Sequence, residues 1–502
     1  MGLNYESKLV NRRSVLRFSA LVSASAVSVA AGGVGTQSTA AAAPNQPPFP
    51  FTGLKSGLVA TDLEVVTVTD TTVTFSWATY EGVHTAWGEL PPLLPADSEV
   101  ALAPLNQVGI DSDVELPVVY QDATAVGYHF ITIENLEPGT TYRFECRSAG
   151  LVAEPGLIST NVPDTPEQTG QFTTLVRPEG EYVTTVALIN DIHIGENGHG
   201  ILFNNFPPPI YVEEGAGSYP EVMLLGALAE LKALGIERVY VNGDATAEAR
   251  PAEVRRFLEI MNSFGQQGQQ WFVTRGNHDR PHTPDFDPSA GYDEFPVLPG
   301  TSNHRDPFGE ILGRPRQQLW VTEHGPIRVI GVDSSKLDQA SGEISEEQFA
   351  ALEQELQSDP NRPTIVLEHH PVTAEAAWTH PGGPTFILNS ADARRLQRLL
   401  NSAPGVFLVG SGHTHRAKRT KGDFGAGVDY LETGVCKAYP GGYTLVHIYT
   451  GGYQVNFHRV SSEDALSWTA RCRWAIWGFE PEALLGRVSD RNYVVRRRII
   501  AV

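Results

Sequence analysis

The chain has 502 residues, of which 41% are hydrophobic, so it can bury several cores and we expect two or three domains. Its formal net charge of −21 argues against a nucleic-acid polymer or an anionic membrane as the main partner, because both repel an acidic surface. With 19% charged residues, 48 Gly and 35 Pro, the composition indicates a compact, loop-rich protein rather than a coiled or disordered one.

Residues 1–43 have the pattern of an export signal. Arg12 and Arg13 precede a weakly apolar run rich in Ala, Ser, Val and Gly, and four alanines end it at residue 43. This arrangement resembles a bacterial twin-arginine signal peptide, and we expect cleavage between Ala40 and Ala43. A transmembrane anchor is the alternative, but glycines interrupt the run and its small residues make it only mildly hydrophobic. We therefore expect a secreted or cell-envelope protein whose mature chain has no transmembrane anchor.

The cysteine count allows at most one disulfide within the chain. There are three cysteines, and an exported chain permits disulfides. Cys436 and Cys472 are the favoured pair because both lie in the C-terminal part, and the alternative is three buried thiols. None of the three has the spacing of a zinc–thiolate site.

Residues 44–57 are predicted to be a Pro-rich linker, and residues 58–176 a β-sandwich. Alternating β-branched stretches such as 65–68, 72–77 and 128–133 predict strands, and Trp77 is the candidate core tryptophan. The spacing Leu-x-Pro-x-Thr-x-Tyr at residues 136–142 resembles the tyrosine corner of fibronectin type III-like sandwiches, in which the tyrosine hydroxyl bonds to upstream backbone. This region is expected to be a spacer or a wall beside the active site, with a passive stability domain as the alternative.

Residues 181–460 read as an α/β domain, followed by an extension over 461–502 that packs on it. Strand patterns at 183–189, 238–241, 271–274, 364–367 and 405–409 alternate with helix patterns, and Ser345 and Ser390 are predicted to cap two of the helices. Such alternation places functional side chains at the carboxyl ends of strands.

Five short stretches rich in Asp, Asn and His each follow an apolar run. They are Asp191-Ile192-His193, Asn242-Gly243-Asp244, Gly276-Asn277-His278-Asp279, His369-His370-Pro371 and Gly412-His413-Thr414-His415. Mixed imidazole and carboxylate ligands suit divalent first-row metals. The predicted ligands are Asp191, His193, Asp244, Asn277, His369, His413 and His415. Asp244 is the predicted bridge between two ions, because Gly243 allows close backbone approach.

These five stretches, in this order, resemble the motifs of the calcineurin-like metallophosphoesterase superfamily, over residues 182–459. The resemblance implies a four-layer α-β-β-α sandwich and two metal ions, Mn, Fe or Zn, bridged by a hydroxide that attacks phosphorus. It implies that one ion takes Asp191, His193, Asp244 and His415, and the second takes Asp244, Asn277, His369 and His413. His278 is then expected to contact the phosphate or to protonate the leaving group.

The branch of the superfamily and the substrate depend on finer features. Purple acid phosphatases carry a tyrosine three residues after the Gly-Asp aspartate, and this chain has Ala247 there together with His193. The Asp-x-His and His-His-Pro forms resemble the cyclic-nucleotide phosphodiesterase branch. We therefore expect a small phosphodiester substrate, with a phosphomonoester as the alternative and a non-catalytic binding module as the less favoured one.

Several further residues near the motifs are candidates for substrate contact. Cationic or imidazole side chains can bind phosphate oxygens. The candidates are Arg275, His370, His380 and Arg416. Asp279 is expected either to orient His278 or to be a solvated turn residue.

Overall fold

The computed structural model describes residues 57–82, 90–109, 114–156, 164–200, 209–281, 305–337, 339–425, 427–475 and 481–500. The predicted export segment and all but the last residue of the predicted linker lie outside the described residues.

Eight strands and two one-turn helices are found among the described residues up to Thr173. The strands are β1 (Leu58–Val68), β2 (Val73–Glu81), β3 (Ala96–Pro104), β4 (Val118–Val126), β5 (Tyr128–Ile133), β6 (Thr141–Ser148), β7 (Leu151–Val152) and β8 (Gln171–Thr173); the helices are α1 (Leu105–Val108) and α2 (Pro166–Thr169). One antiparallel sheet has the order β1-β2-β5, and the other has β4-β3-β6-β7 with β8 also paired to β6.

The two sheets share one core around Trp77. Its side chain is 2% exposed, as predicted, and its indole N–H donates to Ser148 Oγ at 2.9 Å. The Tyr142 hydroxyl accepts the backbone N–H of Glu137 at 2.8 Å, which is the upstream bond expected of this tyrosine. These contacts confirm the two local predictions, whereas the fibronectin type III-like classification of the region stays a prediction.

The described residues after Thr173 contribute twelve strands in two six-stranded sheets. The strands are β9 (Tyr182–Ile189), β10 (Val239–Asn242), β11 (Trp271–Thr274), β12 (Trp320–His324), β13 (Ile327–Val332), β14 (Thr364–Glu368), β15 (Val406–Ser411), β16 (Ala417–Thr420), β17 (Asp429–Thr433), β18 (Gly442–Tyr449), β19 (Gly452–Arg459) and β20 (Asn492–Arg496). The first sheet has the order β11-β10-β9-β18-β19-β20, and the second has β12-β13-β14-β15-β17-β16. The strands β9, β10 and β11 run parallel, as do β13, β14, β15 and β17.

In the described parts of the chain, eight further α-helices follow the first two. They are α3 (Tyr219–Ala233), α4 (Pro251–Phe264), α5 (Pro307–Leu312), α6 (Glu346–Ser358), α7 (Ala374–Thr379), α8 (Ser390–Asn401), α9 (Glu463–Cys472) and α10 (Val488–Arg491). Ser345 caps α6, as predicted, by accepting the N–H of Gln348. The prediction for α8 was displaced by one residue, because Asn389 caps it by accepting two N–H groups and Ser390 is its first helical residue.

Alternating side chains divide the core into layers. On β9, Leu188 faces the other sheet and packs in the cluster that includes Leu367 and Leu408, whereas Ile189 faces the cluster that contains α3 and α4. A third cluster joins the outer face of the second sheet to α6 and α8. The order helix, sheet, sheet, helix matches the layering that the family resemblance implies, in a mixed α/β fold.

The described residues of the predicted C-terminal extension are integrated into this fold. β20 pairs antiparallel with β19 and so forms the edge of the first sheet, and α9 contributes Trp468 to the core beside α3. The favoured disulfide is not present, because Cys146, Cys436 and Cys472 are buried thiols. Cys472 donates its S–H to the carbonyl of Trp468 at 2.8 Å. Among the described residues, none of the helices is both long and apolar enough to span a bilayer.

Candidate metal centre and active site

The predicted ligands follow the carboxyl ends of β9, β10, β11, β14 and β15, and the two sheets bring these ends together. The backbone is unusual there. Asp191, His193, Asp244, His413 and His415 all have positive φ angles, between 49° and 66°. For residues other than glycine this conformation costs roughly 1–3 kcal/mol each and is concentrated at functional sites. The fold therefore accepts strain at five of the seven predicted ligands.

The Asp244 carboxylate lies at the centre of the cluster. Its Oδ2 is 3.4 Å from His193 Nε2 on one side and 3.1 Å from His369 Nε2 on the other. Asn277 Oδ1 is 3.2 Å from the same His369 nitrogen. His415 Nε2 lies 3.6 Å from Asp191 Oδ1. Asp244 is thus shared by two groups of side chains, as expected of a bridging ligand.

Each central imidazole has one nitrogen directed at an oxygen and the other at the cluster. His369 Nδ1 donates to the carbonyl of Asn242 at 2.9 Å, and His413 Nε2 donates to the carbonyl of Phe386 at 2.6 Å. Such contacts fix the orientation of each ring and, in its neutral form, the tautomer, so that His369 Nε2 and His413 Nδ1 are the nitrogens that face the cluster. His278 follows the same pattern, since its Nδ1 donates to the carbonyl of Ala247 at 2.6 Å.

Two glycines allow the motifs to approach one another. A Cβ atom at Gly243, which has a φ of +88°, would lie 2.3 Å from His369 Nδ1. A Cβ atom at Gly276 would lie 2.2 Å from Asp244 Oδ1. The Gly-Asp motif therefore needs glycine for conformation and for space, and the Gly-Asn-His-Asp motif needs it for space.

The buried charges of the site shift the pKa values of its residues. Burial alone would lower the pKa of His369, but the Asp244 carboxylate outweighs burial and raises it to about 10. Burial also opposes ionisation of Asp244, yet the charge of His369 holds its pKa well below the usual range. The His278 side chain keeps 35% of its surface exposed, but desolvation within the cleft lowers its pKa to about 4. The site thus favours an ionised Asp244 and a neutral His278.

These residues fit a pair of metal ions. Three groups have candidate ligand atoms within 4.8 Å of one another: Asp191 with His193 and His415, His193 with Asp244 and His278, and Asp244 with His369 and His413. Both ring nitrogens of His193 are buried without a hydrogen bond of good geometry among the described residues, and each faces a carboxylate: Nε2 lies 3.4 Å from Asp244 Oδ2, and Nδ1 lies 3.0 Å from Glu196 Oε2. A buried lone pair of this kind is costly unless a cation or a donor meets it.

Comparison with known proteins agrees with this geometry. Residues 184–417 match the family of calcineurin-like phosphoesterases. This segment is a calcineurin-like phosphoesterase domain. The match and the relatives described below support a metal-dependent phosphoric ester hydrolase, and the domain contains every predicted ligand.

Two curated relatives are phosphodiesterases by name. A probable glycerophosphodiester phosphodiesterase GpdQ of Arcobacter nitrofigilis is 26% identical over 184 residues, which are 36% of this chain and 58% of that protein. The 3',5'-cyclic adenosine monophosphate phosphodiesterase CpdA of Vibrio vulnificus is 26% identical over 124 residues, which are 24% of this chain and 42% of that protein. The matched segments therefore span about half the length of these relatives.

Among solved structures, the purple acid phosphatase PPD1 of yellow lupin (Lupinus luteus) aligns at 12% identity, covering 88% of this chain and 76% of that chain with a TM-score of 0.39.

The candidate substrate-contacting residues divide into two kinds in the phosphoesterase domain. Arg275 is 2% exposed and forms an ion pair with Asp306 at 2.8 Å, and Arg416 is 4% exposed and forms an ion pair with Glu432 at 2.5 Å. Both guanidinium groups are thus engaged by carboxylates, and their placement gives no support to a phosphate contact.

The two imidazole candidates lie closer to the ligands. His370 is buried, with Nδ1 2.8 Å from Ser334 Oγ, and its ring centre is 4.6 Å from that of His413. His380 stacks on Phe386, whose ring in turn stacks on His413 with the centres 4.1 Å apart. His380 is partly exposed, so of the four candidates it alone combines exposure with a link to the ligands.

Asp279 has a role that neither sequence interpretation anticipated. It is fully buried, and its carboxylate accepts the backbone N–H groups of Ala245, Thr246 and Gly276 and the Thr246 hydroxyl at 2.7–3.1 Å. It therefore joins the loop that carries Asp244 to the loop that carries Asn277 and His278, and is not a solvated turn residue.

Sequence reasoning also missed Glu196. Its Oε2 lies 3.0 Å from His193 Nδ1, and the same carboxylate contacts the ammonium of Lys437 and the hydroxyl of Tyr219. The spacing Asp-x-His-x-x-Glu was visible in the sequence, but a lone glutamate after a motif carries no signal without its partner at residue 437.

Proposed function

We propose that this chain is a dinuclear-metal phosphoesterase that hydrolyses a small phosphodiester, such as a nucleotide or a glycerophosphodiester. The observation that carries the proposal is the shared Asp244 carboxylate, which faces His193 and His369 at 3.4 and 3.1 Å. A carboxylate between two imidazole groups is the arrangement needed to hold two cations close together.

The ligands divide between two sites. One ion would take Asp191, His193, Asp244 and His415, and the other would take Asp244, Asn277, His369 and His413. When bound, such ions neutralise charge on phosphate oxygens and lower the pKa of water. The chain fixes the donor atoms in advance: carbonyls hold the rings of His369 and His413, and the His413 backbone N–H binds the Asp191 carboxylate at 3.0 Å.

His278 would act on the leaving group. Its backbone N–H donates to Asp244 Oδ1 at 2.8 Å, and its ring Nδ1 is held by the carbonyl of Ala247, so Nε2 is left for the substrate. An anionic phosphate beside the ring raises the pKa of the imidazole. His278 can then carry a proton at Nε2 and transfer it to the departing oxygen.

The preference for a diester rests on the names of the two relatives, a glycerophosphodiester phosphodiesterase and a cyclic-nucleotide phosphodiesterase. A separate feature concerns the metal centre: Ala247 stands where a purple acid phosphatase would carry tyrosine, so the proposed centre has no iron–tyrosinate bond at this position.

Two substitutions test the site. Asp244→Asn is expected to abolish hydrolysis of a chromogenic phosphodiester, and His278→Ala to lower kcat by roughly 10²- to 10⁴-fold. The matched control is His447→Ala, which removes a histidine of the same domain that bonds to Thr185. Unchanged turnover in both site variants would overturn the proposed mechanism.

An assay with paired substrates distinguishes hydrolysis of a phosphodiester from hydrolysis of a phosphomonoester. The protein is stripped with chelator, restored with manganese, zinc or iron, and assayed with a chromogenic diester and the matching monoester. Faster diester turnover is expected. A monoester preference would make the protein a phosphatase, and no turnover of either ester with two ions bound would favour a binding role.

We also propose export through the twin-arginine pathway, supported by Arg12 and Arg13 ahead of an apolar run. A bacterial strain that expresses the full chain should place it outside the cytoplasm, and the Arg12→Lys, Arg13→Lys double variant should retain it inside. Export of the double variant at the unaltered rate would contradict this.

A further inference from the structure

Glu196 lies behind the proposed metal site and contacts three polar side chains, those of the nearby His193 and of Lys437 and Tyr219 from later parts of the chain. It follows His193 by three residues, and its backbone N–H donates to the carbonyl of His193 at 3.0 Å. Its carboxylate then folds back so that Oε2 is 3.0 Å from Nδ1 of the same histidine. The other nitrogen of that ring, Nε2, faces Asp244.

We propose that Glu196 is a positioning residue for His193. The inference rests on the proposed function. It assigns to this chain a carboxylate–histidine–metal triad, in which the carboxylate orients the histidine that binds the ion. A carboxylate that accepts Nδ1–H fixes the tautomer, directs Nε2 at the ion and makes that nitrogen a stronger ligand. His193 is 2% exposed, so water does not compete for Nδ1.

Lys437 compensates the charge of Glu196. Its ammonium contacts Glu196 Oε2 and is 4% exposed, so the two charges neutralise each other within the fold. The backbone of Lys437 is attached to the site as well, because its N–H donates to the carbonyl of Asp191 at 3.3 Å. Glu196 therefore orients His193 without adding net negative charge beside the ligands.

Tyr219 fixes the second oxygen. Its hydroxyl donates to Glu196 Oε1, and its ring stacks on Trp468 with the ring centres 4.2 Å apart. The Trp468 indole N–H in turn donates to the carbonyl of Lys437 at 2.9 Å. Glu196 is thus held from two sides by groups that are themselves fixed, which is what a positioning carboxylate requires.

The test is calorimetric titration of manganese or zinc into the full chain after removal of metal by chelator. Wild-type protein is expected to bind two ions. Glu196→Gln keeps the shape of the side chain, and it is expected to weaken one of the two sites by roughly 10- to 100-fold while the other keeps its affinity. Glu221→Gln, on the same helix as Tyr219 but paired with the partly exposed Arg256, is the matched control and should bind as wild type.

Charge compensation gives a second readout. In Glu196→Gln the buried Lys437 ammonium is left facing a cation site, so the double variant with Lys437→Met should bind the weakened ion more tightly than Glu196→Gln alone. Tyr219→Phe removes a single hydrogen bond and should weaken the same site by roughly two- to tenfold. It serves as the measured variant if Glu196→Gln does not fold.

Wild-type affinity at both sites in Glu196→Gln and in Tyr219→Phe would overturn the proposal. So would an equal loss at both sites together with a lower melting temperature of the metal-free protein, since that is the result of a purely structural ion pair. The titration contains no substrate. A wild-type protein that binds two ions and hydrolyses no phosphoester would therefore overturn the proposed function and leave the role of Glu196 to be decided by the affinities.

Discussion

Arg473 on α9 joins the C-terminal part of the chain to β1 through two buried carboxylates. Its Nε is 2.9 Å from Glu64 Oε1, and an Nη atom contacts Asp62; the three side chains are 3%, 1% and 7% exposed. Arg473→Met keeps the apolar stem and removes the charge. Glu64 retains Arg459 at 2.7 Å, but Asp62 loses its guanidinium partner.

The expected loss of free energy of unfolding in Arg473→Met depends on whether Asp62 stays ionised or takes up a proton. Removal of one member of a buried ion pair costs about 3–5 kcal/mol. Asp62 can instead take up a proton, which for a carboxyl with an ordinary pKa near 4 costs about 4 kcal/mol at pH 7 and about 1.5 kcal/mol at pH 5. In the variant the folded-state pKa of Asp62 lies further above its unfolded value, so folded protein binds more protons and loses stability as pH rises. We expect a loss of about 4 kcal/mol at pH 7 and a clearly smaller one at pH 5.

Urea unfolding followed by tryptophan fluorescence at the two pH values measures this loss. The matched control is Arg256→Met, because Arg256 is 40% exposed and pairs with Glu221 and Glu259. The control should cost less than about 1 kcal/mol at either pH. A cost below about 1 kcal/mol for Arg473→Met at pH 7, or a cost that is the same at both pH values, would refute the reasoning.

Four further predictions concern single side chains. Burial lowers the pKa of His129 to about 4, so the folded protein disfavours the protonated ring. The free energy of unfolding should therefore be unaffected by His129 above about pH 6.5 and should decrease by about 3 kcal/mol as pH falls toward 4. His129→Gln should remove this pH dependence in unfolding experiments. Gly243→Ala should abolish binding of one of two metal ions in a calorimetric titration, because its Cβ would displace the ring of His369. Asp279→Ala leaves buried N–H groups without an acceptor and should lower the free energy of unfolding by roughly 2–4 kcal/mol. A decrease near zero would contradict the conclusion that Asp279 joins the two ligand-bearing loops. Tyr142→Phe should cost about 1 kcal/mol in the same measurement, since one hydrogen bond is lost.

The strand-end motifs could be predicted because their signal is local. Each ligand motif lies close after an apolar run, and the strand predicted over residues 271–274 coincides with β11. Parallel strands end at the same edge of a sheet, so the alternation of strands with helices was enough to bring Asp191 and Asp244 together on the first sheet. His369 follows β14 of the second sheet, and only the family resemblance predicted that it joins them.

Elements without such a signal were missed or placed outside the domain. β13 has the apolar run Ile327–Val332, but no ligand motif follows it, and β20 was taken as part of an extension although it completes the first sheet. A short strand near the end of a chain acquires its partner through tertiary contact, which periodicity does not report.

The contacts around the ligands depended on long-range pairing. Glu196 and Lys437 are 241 residues apart, and Asp279 meets Thr246 across 33 residues. The same holds for Arg275 and Arg416, which resemble phosphate-binding groups beside the motifs in the sequence but are paired in the structure with the carboxylates of Asp306 and Glu432.

The central claim is that two metal ions held by one shared aspartate carry out phosphoester hydrolysis. The most direct test is to titrate manganese into chelator-stripped wild-type and Asp244→Asn proteins while recording both bound metal and turnover of a chromogenic phosphodiester. The account predicts that wild-type turnover rises to a plateau as two ions bind, and that the variant neither binds both ions nor turns over. Full turnover in the stripped protein, or in Asp244→Asn, would contradict it.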